Sequence, residues 1–83
     1  MVNLYCVSNL YDYCWFVFAR TANRAKALCV NYFTDDEPYI NMRARIIKKD
    51  VGGETDIVVD SETDKDYGRV LAAGGRFLSE EEI

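Results

Sequence analysis

The sequence predicts an α+β domain. Its parts are an antiparallel sheet of three to four strands in the order β-β-α-β-β-α, one amphipathic helix packed on a face of that sheet, and a short C-terminal helix. Three observations carry this. Two runs of strand formers, Asn3 to Ser8 and Tyr13 to Ala19, flank a short connection bounded by turn residues. An apolar stripe at helical spacing follows, from Ala25 to Phe33. Alternation at period two then follows between Tyr39 and Lys49. An antiparallel sheet covered by a helix buries all three patterns in two layers.

The elements follow in chain order. Asn9-Leu10-Tyr11-Asp12 joins the first two strands as a hairpin. The second strand is apolar on both faces, so it is expected to be central, with a helix on one side and a loop or a partner on the other. Thr21 is a good N-cap for a helix from Ala22 to about Phe33. Ala25, Leu28, Cys29, Tyr32 and Phe33 form its apolar stripe, with Arg24, Lys26 and Asn31 largely outside it, and Asp35-Asp36-Glu37-Pro38 ends it. In the third strand Ile40, Met42, Ala44 and Ile46 face one way, while Asn41, Arg43, Arg45 and Ile47 face the other. Gly52-Gly53 marks a turn, across which Ile57-Val58-Val59 is expected to pair back on the third strand. Ser61-Glu62-Thr63-Asp64 has capping-box spacing. It predicts a helix from Asp64 to about Ala73 with Tyr67, Val70 and Leu71 as its apolar stripe and Gly74-Gly75 as its stop.

Residues 1–78 are expected to form a single domain and residues 79–83 an acidic C-terminal tail. With 83 residues, 49% hydrophobic and 13% aromatic, the chain has enough apolar surface for one modest core. The start, Met1-Val2-Asn3-Leu4-Tyr5, lacks the features of a signal peptide, and the longest apolar run, Cys14 to Ala19, is far short of a membrane span. Cys6, Cys14 and Cys29 are odd in number and lack CxxC spacing, which reads as three reduced, buried thiols in a cytoplasmic protein.

Catalysis has little to rest on. Histidine is absent, so the commonest general base and transition-metal ligand are missing. The cysteines and Ser8, Ser61 and Ser79 have no base beside them in the pattern. No glycine-rich phosphate cradle occurs. Asp60, Glu62, Asp64 and Asp66 begin like a calcium loop, but Lys65 and Leu71 stand where that loop needs Gly and Glu. The expectation is a protein that is not an enzyme, with no cofactor, no metal and no catalytic residues.

Charge is the strongest functional clue. Residues 1–53 carry seven Lys/Arg and five Asp/Glu; residues 54–83 carry three and nine, which together give the net charge of −4. A one-signed segment suits a basic partner and disfavours direct contact with nucleic acid or an anionic membrane. Glu54, Asp56, Asp60, Glu62, Asp64 and Asp66 are the candidate binding face, spaced so that carboxylates imitate a phosphate track. An acidic helix start is the structural alternative. Tyr11 and Tyr13, flanking the first turn beside Asp12, are candidate interface anchors. Arg43, Arg45, Lys48 and Lys49 form a basic stripe on the third strand, read either as an edge protected by charge or as a partner for the acid inside the fold or across a dimer.

Tyr11-Asp12-Tyr13, the apolar strand through Ala19 and Thr21-Ala22-Asn23-Arg24-Ala25-Lys26-Ala27-Leu28 together resemble a pattern in small, acidic phage and prophage proteins. In those chains an aromatic hairpin precedes an amphipathic helix, with acid where this chain has Asn23-Arg24-Ala25-Lys26. The resemblance covers the first half. It implies a bacterial host cell, a cytoplasmic location and an inhibitor of host defence of the anti-CRISPR kind, binding a basic, nucleic-acid-handling host protein such as a CRISPR-Cas effector. A self-associating assembly module, with excess aromatics and a strand edge buried in a homodimer, is the other expectation.

Overall fold

The computed structural model describes residues 1–8, 14–33 and 42–77, with the backbone alone at 31–33. Strands β1 (Asn3–Ser8) and β2 (Cys14–Ala19) precede helix α1 (Ala22–Phe33), and strands β3 (Arg43–Lys48) and β4 (Ile57–Val59) precede helix α2 (Tyr67–Ala72). The α+β class and the element order are those read from the sequence. The sheet order is β3-β1-β2-β4, with every neighbouring pair antiparallel.

This order corrects the expected partner of the fourth strand. Ile57, Val58 and Val59 pair with Phe18, Val17 and Phe16 of β2, not with β3. The physical reason lies in β2, whose Phe16, Val17, Phe18 and Ala19 are all buried. A strand apolar on both faces is stable only with neighbours on both sides and cover above and below. β1 occupies one flank and β4 the other, so β3 and β4 become the two edges.

Each face of the sheet carries its own core. On one, Tyr5, Val7, Val17 and Ala19 meet Ala25 and Cys29 of α1, with Met42 closing the cluster and Leu28 packed against it. The Thr21 hydroxyl accepts a hydrogen bond from the Arg24 N–H at 3.1 Å, the predicted cap, worth about 1 kcal/mol. On the other face Leu4, Phe16, Phe18, Val59 and Val2 pack with Val70 of α2, and Tyr67, Ala73 and Phe77 complete the cover. The expected loop or partner there is therefore α2 and the segment that follows it. The Phe77 ring meets Phe16 edge-on at 4.9 Å and stacks on Tyr67 at 5.5 Å. The Phe77 N–H donates to the Tyr67 hydroxyl.

Three local expectations change. The last helix begins at Tyr67 rather than Asp64, because two successive tight turns come first: Asp64 N–H to the Ser61 carbonyl and Tyr67 N–H to the Asp64 carbonyl. Its buried stripe is Val70 with Tyr67 and Ala73, while Leu71 is 50% exposed. In β3 the alternation slips: the register jumps from Tyr5↔Ile46 to Leu4↔Lys48, leaving Ile47 as the bulged residue. Ile46 is left 40% exposed, while Ile47 packs against the second core.

The third correction concerns the cysteines. Cys6 and Cys14 are half-buried and joined as a disulfide, with Cα atoms 6.3 Å apart. Antiparallel pairing explains their meeting: Cys6 lies opposite Phe16 and Ser8 opposite Cys14, which makes the two cysteines diagonal neighbours on one face. Only Cys29 fits the reading of a reduced, buried thiol. A cytoplasmic location loses the support it drew from three reduced thiols. Among the described residues no helix is long and apolar enough to cross a membrane.

Candidate partner-binding site

Strand order separates the charges. Arg43, Arg45, Lys48 and Lys49 are exposed on and just beyond β3, with Asp50 ending the stripe. Glu54, Asp56, Asp60 and Glu62 are exposed around β4. Two strands lie between β3 and β4, so three interstrand spacings, about 14 Å, divide Arg43 and Arg45 on β3 from Asp60 at the end of β4, while residues 49–56 cross from one edge to the other. At moderate salt that exceeds the Debye length of about 10 Å. Arg43 and Arg45 therefore do not neutralise Asp60 across the sheet, and that part of the charge split becomes two opposite edges.

The six predicted acids do not share one role. Asp56 forms a salt bridge with Arg24 of α1 at 2.9 Å. The hydrogen bond from Arg24 is the main cause that holds the Asp56 carboxyl below its usual range, and the same bond with the charge of Asp56 raises Arg24. Asp56 also has φ +64°, and its N–H donates to the Phe18 carbonyl, so it shapes the entry to β4. Asp64 is half-buried and its carboxylate accepts the Asp66 N–H at 2.9 Å. Asp66 is the N-cap position of α2 and makes no side-chain cap. Asp64 thus closes the turn that leads into α2. Glu54, Asp60 and Glu62 are exposed. Tyr11 and Tyr13 lie outside the described residues.

The turn that carries Glu54 is held by a residue that sequence reasoning missed. The Arg69 guanidinium reaches back from α2 and donates to the carbonyls of Gly52 at 2.8 Å and Glu54 at 3.1 Å. The same group lies over the Phe18 ring. Gly53, at φ +79°, passes so close that a Cβ there would sit 2.6 Å from Arg69. No local pattern in the sequence announces this contact, because it joins residues far apart in the chain. Arg69 also lines a shallow cleft of about 210 Å³ with Phe18, Lys48, Asp50, Val51, Ala72 and Ala73. That is below the roughly 300 Å³ at which ligand pockets of ordinary size begin.

Chemically the edge is a set of exposed carboxylates on the segments before and after β4. Among the described residues no group of three His, Cys, Asp or Glu side chains converges as a metal site would require. Comparison with protein-family models, with curated proteins and with solved structures finds no match.

Proposed function

We propose that this chain is a non-enzymatic binding protein that places its acidic β4 edge in the basic, nucleic-acid-handling groove of another protein, as an inhibitor of the phage anti-CRISPR kind does. The observation that carries the reading is the segregation of charge. Glu54, Asp60 and Glu62 are exposed on the segments flanking β4, one edge strand, while Arg43 and Arg45 stand on β3, the other. A basic groove thus meets acid without meeting Arg43, Arg45 or Lys48. The Arg69 anchor supports it further, since a turn ordered before binding costs little entropy to dock.

The test is capture from a bacterial lysate at low salt, with identification of what is retained. A basic nucleic-acid-binding protein is expected, released by salt because the contact is made by screened charges. Glu54/Asp60/Glu62→Ala is expected to abolish capture, and Arg43/Arg45→Ala to leave it intact. Capture that survives the first variant, or is lost only with the second, contradicts the reading.

A further inference from the structure

The two edges of the sheet match each other in direction as well as in charge. β1 runs antiparallel to both β2 and β3, and β2 runs antiparallel to β4. It follows that β3 and β4 run in opposite directions at the two ends of the sheet. A second copy laid alongside in the same orientation brings its β3 antiparallel to β4 of the first, and the alternation continues unbroken. Among the described residues neither outer edge has a partner strand.

Charge selects between the ways two copies meet. A two-fold pairing of β3 with β3 sets Arg43 and Arg45 against their own counterparts, and like charges across a strand pair are destabilising. A two-fold pairing of β4 with β4 does the same with Glu54, Asp60 and Glu62. Only the unlike pairing brings base to acid. We propose that the chain associates with itself head to tail, the basic β3 edge of one copy adding to the acidic β4 edge of the next.

Such a contact is heterologous, so it leaves one edge of each kind open and builds short chains or a closed ring rather than a two-fold dimer. β4 is three residues long, so the backbone ladder is short and the charges carry much of the attraction. The association is accordingly weak and sensitive to salt. It goes beyond the partner reading, since no second protein enters. A purified chain that stays monomeric leaves that reading where it was.

Sedimentation velocity on the purified full chain tests it. At low salt the mean mass rises with concentration from the micromolar to the millimolar range. At about 0.5 M salt, where screening acts over roughly 4 Å, it returns toward the single chain. Arg43→Glu/Arg45→Glu removes the positive balance of the β3 edge, where Lys48 and Lys49 remain, and Glu54→Lys/Glu62→Lys removes the negative balance of the β4 edge, where Asp60 remains. Each variant alone is monomeric, and an equimolar mixture of the two associates. A wild-type chain that stays monomeric throughout overturns the proposal, and so does association that salt strengthens. Either result stands without the variants. Association that both reversals leave intact, or that mixing does not restore, overturns it as well.

Discussion

The Arg69 guanidinium lies 3.9 Å from the centre of the Phe18 ring, joining α2 to the central strand. With its bonds to the carbonyls of Gly52 and Glu54, it ties three parts of the chain at one point. A charged donor on two carbonyls and a ring, with both hydrogen bonds exposed to solvent, is worth about 1 kcal/mol. Arg69→Ala is expected to lower stability by about that much in urea or guanidinium denaturation. Arg69→Lys is expected to recover less than half, because an ammonium lacks the planar fork. Full rescue by lysine would show that charge alone suffices.

Gly53 and Arg69 are expected to be coupled. An Ala at Gly53 meets Arg69 at 2.6 Å and must hold φ +79°. The guanidinium has to swing aside and give up its carbonyl contacts, and with the backbone strain this costs about 2 kcal/mol. In the Arg69→Ala background the clash is gone and only the strain is left, so the double variant is expected to be less destabilised than the sum by about 1 kcal/mol. Simple additivity would contradict the contact. Gly75→Ala has no such relief, since its Cβ would meet Val70 at 2.7 Å and Phe16 at 2.9 Å inside the core.

The Cys6–Cys14 disulfide spans a sequence separation of 8. Closing a loop of that size restricts the unfolded chain by about 2.5 kcal/mol on the chain-entropy account. Reduction with a dithiol is expected to lower the denaturation midpoint accordingly, and Cys6→Ser/Cys14→Ser to behave like the reduced wild type. Alkylation provides a second check. Without reductant the folded protein should label at no cysteine, and the unfolded protein at Cys29 alone. Labelling of Cys6 or Cys14 without reduction would contradict the pairing.

Burial pushes the Cys29 thiol up from 9.0 to about 12. Its folded pKa is above its unfolded one, so the folded state keeps the proton longer. Its contribution is fully present below about pH 9 and is lost as pH rises from there toward 12. The slope is at most about 1.4 kcal/mol per pH unit. Stability of the wild type relative to Cys29→Ala should be flat below pH 9 and fall above it. A difference that stays constant through that range would contradict the burial of this thiol.

Much of the fold was legible because periodicity reports burial. The α1 stripe and the Thr21 cap are local patterns, and the structure places Ala25, Cys29 and the cap bond as they predict. The doubly apolar β2 announced its central position. Pairing across distance was not legible: Ile57 to Val59 follow a turn that suggests a hairpin with β3, yet the free flank of β2 takes them. The same limit hid the Cys6–Cys14 pair, since spacing says nothing about diagonal neighbours in a sheet. In the acidic segment, composition gave all six residues one role. Local geometry then divides them into a salt bridge at Asp56, a turn at Asp64 and exposed carboxylates at Glu54, Asp60 and Glu62.

The claim that the acidic β4 edge occupies a nucleic-acid site is tested most directly by competition on the captured partner. Labelled nucleic acid bound to that partner is titrated with the chain and followed by fluorescence anisotropy at low salt. Displacement by the wild type, and none by Glu54/Asp60/Glu62→Ala, is the expected result. A stable ternary complex of partner, nucleic acid and chain would contradict it.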